Sequence, residues 1–432
     1  MSLIIRTTGV ATILVALALS LNAQTLSLER RIFILSKTYQ SLPIQFAHWR
    51  TASIKPQQLD SVYRVFLRRT LETDSRRDFA LLMREFIALL NNGHSWYNDN
   101  KVFGGTLPLG FTWLDIEGKW IVTRTIVDGL VPGDAINSIN GKSVDELYAS
   151  LAKYLSASNE RSKRGKLLMT LQAVLPEEIT IEFQKKSGSV KRITINRAAL
   201  KPAPQTQKTE SRWLEPGKIA YIKIPSFNKQ EFEKDAIEQL KQFAQTPALI
   251  VDVRWNGGGS TPEQLTRALM NIPYRWFTES SPLTVGLFRF YTVARPGIEL
   301  NDYFRNAQLV WQNAENPPDS NAFSGHMIIL TNRITGSAAE DFTLPFKDNE
   351  RATIIGETTD GSTGQPYFFD FGDGIRIGIG TKRVYMPKGG EFEGVGIEPD
   401  ITVPTEREDL YSGKDKVLER AIAQATKLIN AR

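Results

Sequence analysis

The chain has 432 residues, of which 23% are charged and 41% hydrophobic. That is the composition of globular protein with room for about three domains, and it argues against wholesale disorder, collagen-like repeats and a polytopic membrane protein. The net charge of +6 is spread along the chain with no run of five basic residues, so nothing marks a nucleic-acid partner. Cysteine is absent and histidine occurs three times, at His48, His94 and His326. These counts exclude disulfides, thiolate nucleophiles and Cys-ligated zinc, and they leave three candidates for an imidazole base. No metal or organic cofactor is called for.

Residues 1–23 read as a signal peptide. Arg6 gives a positive start, Val10 to Leu21 is an apolar run of twelve, and Leu21-Asn22-Ala23 offers a small-residue cleavage site. A run of that length is too short for a bilayer-spanning helix, which needs about 20 residues. The expectation is an exported protein, periplasmic or extracellular, with no stable membrane insertion after cleavage.

Residues 24–100 read as a helical N-terminal region. Phe79, Leu82, Met83, Phe86, Leu89 and Leu90 recur at the spacing of one helix face. Asp74 or Ser75 is placed to cap its start, and Asn91-Asn92-Gly93 is a stop signal. His94 therefore heads a loop just beyond a helix end. His48, between Ala47 and Trp49 in a helical stretch, reads as a packed residue, and His326, just before a strand, as structural.

Residues 101–200 change to short apolar stretches between Gly and Asp turns. Trp120-Ile121-Val122, Ile179 to Phe183 and Val190 to Ile195 have the character of strands. The string from Gly133-Asp134 through Ile136 and Ile139 to Asn140-Gly141 resembles the signature of PDZ domains. Leu107-Pro108-Leu109-Gly110-Phe111 resembles their carboxylate-binding loop. The resemblance implies recognition of an extended peptide by strand addition, with Leu109, Gly110 and Phe111 as substrate-binding residues. A generic small β-domain with an Asn-Gly hairpin is the plainer reading of the same residues.

Residues 201–432 read as an α/β unit, entered through a Pro-containing linker from Lys201 to Glu210. Ile219 to Ile224, Ala248 to Val253, Met327 to Leu330 and Ala352 to Ile355 are nearly continuous apolar runs, as expected of strands buried on both faces. Helical stretches lie between them, from Glu231 to Ala244 and from Thr261 to Met270. The aromatic-rich segment 273–322 is irregular and is placed to act as a lid over a cleft.

The chemistry falls at strand ends. Gly336-Ser337 follows the strand Met327 to Leu330, where a strand-to-helix turn exposes the Ser337 hydroxyl and sets the Ala338 N–H at a helix N-terminus. The same residues also read as an N-cap, with Glu340 completing a capping box, and the two readings are compatible. Asp252-Val253-Arg254-Trp255-Asn256-Gly257-Gly258-Gly259 ends another strand. Its glycines allow close backbone approach, but the Lys-Ser/Thr of a phosphate loop is missing. An oxyanion hole shared by Gly258 and Ala338 fits better. A serine nucleophile needs a base, which the His94 loop can supply.

Asp252-Val253-Arg254 with its Gly run, Ser337-Ala338-Ala339-Glu340, Gly356-Glu357-Thr358-Thr359 and Gly394-Val395-Gly396-Ile397-Glu398-Pro399-Asp400 occur in this order after the PDZ-like segment. Together they resemble the tail-specific (C-terminal-processing) serine peptidase family. The resemblance implies a ClpP/crotonase-like α/β core and endopeptidase action on peptides or unfolded proteins. Ser362 stands where the Ser–Lys layout of that family has its lysine, and Lys382 lies outside the motif. Gly93-His94-Ser95 matches instead the tricorn-like, retinoid-binding-like branch, whose base is histidine. In that branch a glutamate before the Gly-x-Gly-Ile-x-Pro-Asp motif completes the charge network. Glu393 has that place, with Glu391 and Glu357 as rivals. Ser95 reads equally as a supporting hydroxyl or a loop cap. The expectation is a serine peptidase using Ser337, His94 and Glu393. A non-proteolytic binding protein for an apolar ligand or peptide on the same scaffold is the alternative.

Overall fold

A computed structural model gives the fold and describes residues 26–201, 207–282 and 315–431. The signal-peptide segment 1–23, part of the linker (202–206) and most of the expected lid (283–314) lie outside the described residues.

The N-terminal region begins with helices α1 (Leu28–Gln45), α2 (Leu59–Leu71) and α3 (Arg76–Ala88). Ser75 caps α3 by accepting from the Asp78 N–H at 3.0 Å, and the predicted stripe Phe79, Leu82, Met83 and Phe86 is buried. Beyond α3 the chain turns at Asn91, which has φ +46°, and then forms strand β1 (Trp96–Asp99). The region is therefore not wholly helical.

The next segment forms a sheet of β2 (Phe111–Ile116), β3 (Lys119–Thr125), β4 (Ala135–Ile139), β5 (Glu178–Gln184) and β6 (Val190–Asn196), in the order β2-β3-β4-β5-β6. All pairings along it are antiparallel, and β2 lies at one edge. Between β4 and β5 the chain adds helices α4 (Val144–Leu151), α5 (Glu160–Gly165) and α6 (Leu167–Val174), which the strand reading of the sequence leaves out. The signal for the first was present, since Ser143 and Glu146 form a capping box. Leu109 and Phe111 belong to the core of this module, packed with Trp113, Leu171 and Phe183.

The remaining chain forms a sheet of β7 (Glu210–Glu215), β8 (Ile219–Lys223), β9 (Ala248–Asp252), β10 (His326–Thr331), β11 (Thr353–Gly356) and a short β14 (Ile401–Thr402), in the order β14-β11-β10-β9-β8-β7. All neighbours are parallel except β7, which runs antiparallel to β8. One face packs on α7 (Gln230–Lys241), α8 (Glu263–Leu269) and α9 (Ala338–Asp348) through Phe232, Leu265 and Phe342. The other packs on α11 (Lys416–Asn430) through Val417, Ala421 and Ala425; the short helix α10 (Arg407–Ser412) precedes it. Cover on both faces accounts for the unbroken apolar strands.

A hairpin after β11, β12 (Pro366–Gly372) and β13 (Ile375–Gly380), leaves this unit. β13 pairs antiparallel with β1, matching Trp96 with Gly378, and its Ile375, Ile377 and Ile379 enter the core of α1–α3. The buried Arg76 guanidinium seals the joint by pairing with Asp99 and Asp373. The N-terminal region and the C-terminal unit thus share one core.

Arg197 closes the sheet module from below. Its buried guanidinium donates to the carbonyls of Pro108, Gln172, Leu175 and Pro176 at 2.6–3.3 Å, and to that of Leu107. Truncation would leave several buried acceptors unpaired. Arg197→Ala is expected to lower the unfolding free energy by ~2–4 kcal/mol in urea titrations. An unchanged midpoint would show that the loop before β2 is held by other contacts.

Candidate active site

Parallel α/β sheets present ligand sites beyond the carboxyl ends of their strands. Here the ends of β9, β10 and β11 carry the glycine run, Ser337 and the loop Gly356 to Gly364. His326 begins β10 and so lies at the opposite end of the sheet from Ser337.

Ser337 has φ +52° and ψ −125°, a conformation that a side chain makes costly by roughly 1–3 kcal/mol. The fold enforces it. The Ser337 N–H donates to Ser362 O at 3.0 Å and to Glu340 Oε2 at 3.1 Å, and the Gly336 N–H donates to Asn256 O at 3.0 Å. The same Glu340 carboxylate accepts from the N–H groups of Gly361 and Ser362, at 2.7 and 3.0 Å, and from the Thr359 hydroxyl. Burial, with Asp360 nearby, raises the pKa of Glu340 above the ordinary carboxyl range. The carboxylate half of the expected capping box is therefore built, and the Ser337 hydroxyl turns to another partner.

That partner is His94, whose Nε2 lies 3.2 Å from Ser337 Oγ across 243 positions of sequence. The other ring nitrogen, Nδ1, is 3.2 Å from Ser362 Oγ. Enclosure, reinforced by the positive charges of Lys166 and Lys382, lowers His94 to about 4, so the ring is neutral at ordinary pH. Asn92 shapes the loop: its Oδ1 accepts from the His94 N–H at 3.2 Å and from the Ser95 hydroxyl at 2.9 Å. Ser95 also accepts from the Gly380 N–H and makes no hydrogen bond to the ring, which fits the loop-cap reading.

Glu393 is buried behind this pair. Its Oε1 accepts from the Ser158 hydroxyl at 2.6 Å and from Asn92 Nδ2 at 3.1 Å, and its Oε2 from the Thr363 N–H at 3.1 Å. Ser158 Oγ is in turn 3.0 Å from Ser362 Oγ. The expected direct support of His94 by Glu393 is thus replaced by a connection through two serine hydroxyls. Burial raises Glu393 to about 7. The two rival carboxylates are engaged elsewhere: Glu391 pairs with Arg50 and Arg383, and Glu357 with Arg333 at 2.6 Å. Lys382 forms an ion pair with Glu279.

Two members of this group escape the sequence reading. Ser158 lies between α4 and α5 with no local signal of a role. His48 is indeed packed, and its buried ring reaches the site: Nε2 is 3.0 Å from Lys382 O, and Nδ1 is 3.9 Å from Glu393 Oε1. Burial, with His94 nearby, lowers His48 to about 3.

The oxyanion expectation needs one correction. Ala338 opens helix α9, where the first amides have no partner within the helix. The Gly258 N–H, however, donates to Asn256 Oδ1 at 2.9 Å and is not presented to a ligand. Gly258 supplies space instead. With φ +99°, a Cβ there would lie 2.6 Å from Ser337 Cβ and 2.8 Å from Ala338 N. The neighbouring Gly257 lines the cavity together with Ser337.

That cavity, of about 580 Å³, is bounded by His94 and Ser337 on one side. Trp113 and Leu114 of β2, Trp120 of β3, Met169 of α6 and Ile334 give it apolar walls; Arg161, Lys166 and Asp360 add charge. Its location corrects the substrate-binding expectation. Leu109 and Phe111 are core residues, and the Gly110 carbonyl is taken by the Ile126 N–H at 2.8 Å. The module faces the site with the next residues of β2 and with α5–α6. Among the described residues, no group of three or more His, Asp or Glu is arranged to hold a metal ion.

A serine hydroxyl on a strained strand-to-helix turn thus stands within hydrogen-bond distance of a neutral imidazole beside a cavity, an arrangement chemically suited to nucleophilic catalysis on an α/β scaffold. Residues 218–403 match the sequence model of peptidase family S41. A carboxyl-terminal-processing protease of Synechocystis is 27% identical over 278 residues, covering 64% of this chain and 55% of that protein. A tail-specific protease of Haemophilus influenzae is 23% identical over 386 residues, covering 83% and 50%. These matches support a relationship of the chain to the tail-specific serine peptidase family, and it spans only about half the length of these curated relatives. In fold it is similar to mature CPAF, with TM-score 0.72 at 16% identity over 94% of this chain and 98% of that one. The photosystem II D1 C-terminal processing protease matches with TM-score 0.50 at 17% identity, covering 87% and 93%.

The close fit at Gly258 gives a test that needs no substrate. Gly258→Ala is expected to slow labelling of Ser337 by a fluorophosphonate, read by intact mass, by roughly 10²-fold, because the added methyl must displace the Ser337 side chain. Labelling at the parental rate would mean the turn has slack that the packing does not suggest.

Proposed function

We propose that this protein is an exported serine endopeptidase that cleaves peptides or unfolded proteins through an acyl-enzyme on Ser337. The observation that carries the reading is the 3.2 Å approach of His94 Nε2 to Ser337 Oγ at the cavity wall. Ser337 attacks the scissile carbonyl while His94 takes its proton and later returns it to the leaving amine. Glu393 offsets the imidazolium charge that forms between those steps. The Ala338 N–H, at the start of α9, receives the oxyanion, and the amide of Gly257 is the proposed second donor.

The sheet module is read as PDZ-like and the parallel sheet with its helices as a ClpP/crotonase-like core. The edge position of β2 supports an extended substrate lying between β2 and α5–α6, with apolar side chains against Trp113, Trp120 and Met169. Export rests on the apolar N-terminal run. Among the described residues no helix is long and apolar enough to cross a membrane.

Ser337→Ala is expected to abolish cleavage of an unfolded protein substrate while changing stability by less than ~1 kcal/mol. Retained proteolysis by the purified variant would remove Ser337 from the mechanism.

The pH dependence follows from the two shifted groups. His94 stays unprotonated down to about 4, so its own titration does not limit activity near neutrality. Glu393, raised to about 7, carries a proton below that pH and its charge only above it. Turnover is therefore expected to fall as pH drops through about 7 and to level off above, in kcat/KM measured from pH 5 to 9. A rise confined to pH above 8 and insensitive to His94→Ala would point to a lysine base.

A further inference from the structure

Resting on the reading of Ser337 and His94 just proposed, we infer that Lys166 of the sheet module is a positioning residue for that reaction: its ammonium holds the Gly93 carbonyl and thereby sets the direction in which His94 leaves its turn. The turn has little stiffness of its own. Gly93 carries no side chain to restrict its backbone, and a Cβ there would run into Ser362 Oγ. The orientation of His94 must therefore come from the groups to which the neighbouring peptide units are bonded.

A peptide unit is planar, so holding its carbonyl and its N–H fixes its plane. The unit joining Gly93 to His94 is bonded at both ends. Lys166 Nζ donates to Gly93 O at 3.3 Å, and the His94 N–H donates to Asn92 Oδ1 at 3.2 Å. The preceding unit is bonded at both ends as well. Ser156 Oγ donates to Asn92 O at 2.8 Å, and the Gly93 N–H donates to Ser158 Oγ at 2.9 Å. Lys166 stands at the junction of α5 and α6, and its second hydrogen bond, to Ser156 O at 2.7 Å, ties it to the segment that carries the two serines.

An ammonium is a costly group to place here. Lys166 lines the cavity, and burial lowers its pKa below the ordinary lysine range, with Asp360 and Glu393 opposing that shift. Its hydrogen-bond partners are two carbonyl oxygens. The charged and titratable groups that face His94 are Lys166 from the sheet module, Lys382 from the C-terminal unit and His48 from the N-terminal region. The charge of Lys166 opposes the imidazolium that forms on turnover, so electrostatic stabilisation of that ion does not account for it. The hydrogen bond to Gly93 does.

The test exploits a chain without cysteine. Lys166→Cys in the full chain is alkylated with bromoethylamine, which rebuilds a side chain of nearly the same length ending in an ammonium. Propyl bromide builds the same length ending in a methyl group. Labelling of Ser337 by a small fluorophosphonate is followed by intact mass, at a pH above the titration of Glu393, with Tm as the check on folding. The aminoethylated protein is expected to label within about three-fold of the parent, and the propylated protein roughly 10²-fold more slowly at a similar Tm, the order of effect that a small misplacement of the base produces. In the propylated protein the His94 ring, followed by proton NMR, is expected to titrate above its parental value of about 4, because a positive charge that opposes its protonation is gone.

Equal labelling of the propylated and aminoethylated proteins would refute the positioning role. Labelling kept by the propylated protein while cleavage of an unfolded protein falls would make Lys166 a substrate contact, which refutes it too. A propylated protein that fails to fold, with recovery on aminoethylation, would assign the ammonium to stability alone and overturn the proposal. So would a His94 titration that does not move. The underlying reading fails separately: labelling of Ser337 at the parental rate in His94→Ala would remove the base, whereas the His94 titration is read without any catalysis.

Discussion

The buried carboxylate of Glu340 is the contact on which the site depends. It receives the N–H of Ser337 from one side and the N–H groups of Gly361 and Ser362 from the other, so one side chain sets both the Ser337 turn and the loop that meets His94. A non-glycine residue at φ +52° persists only when its surroundings over-determine it. Glu340, the Ser362 carbonyl and the tight seat of Gly258 against Ser337 do so together. A buried carboxylate with this many donors is costly to form but leaves few alternative arrangements of the loop.

The residues that surround Ser337 come from distant parts of the chain, and the joint between β1 and β13 explains how they meet. Helix α3 ends where its apolar stripe ends, and the turn after it projects His94. The pairing of Trp96–Asp99 with the hairpin that follows β11 then ties that turn to the C-terminal unit, and Arg76 locks it with two carboxylates. Glu393 and Thr363 flank the same hairpin. The joint thus holds His94 and Glu393 close to Ser337, which is the kind of support a site needs to hold sub-ångström geometry.

The sheet module has a closer part than a remote docking surface would. Trp113 and Trp120 wall the cavity, α5–α6 border it, and Ser158 enters the hydroxyl chain behind His94. Arg161 donates to the carbonyls of Thr359 and Val395, and Asn159 to that of Asp360, so the segment carrying Ser158 is also bonded to the loop carrying Ser362. The cavity wall and the hydrogen bonds behind His94 therefore draw on the same module, and a shift of it would disturb both.

Local pattern was enough for the elements with a strong period or a fixed motif. The apolar runs became β8 to β11, the stripe from Phe79 to Phe86 became α3, and the turn at Gly336-Ser337 followed from a strand ending in small residues. The ordered motifs singled out His94 and, before the last of them, Glu393. Other features had no local sign. Nothing in Trp96–Asp99 announces a partner nearly three hundred residues on, because an antiparallel pairing across that distance is selected by the packing of Ile375, Ile377 and Ile379 against α1–α3. Ser158 and His48 are ordinary polar residues whose importance comes only from where packing leaves them. The direction of the Gly258 amide was set by Asn256, and the burial of Leu109 and Phe111 by the closing of the module around Arg197. The sequence alone determined which residue types were available for acyl chemistry and which strands would carry them. Tertiary packing decided which hydroxyls stand between Glu393 and His94, because hydrogen-bond direction depends on distances that no linear spacing encodes.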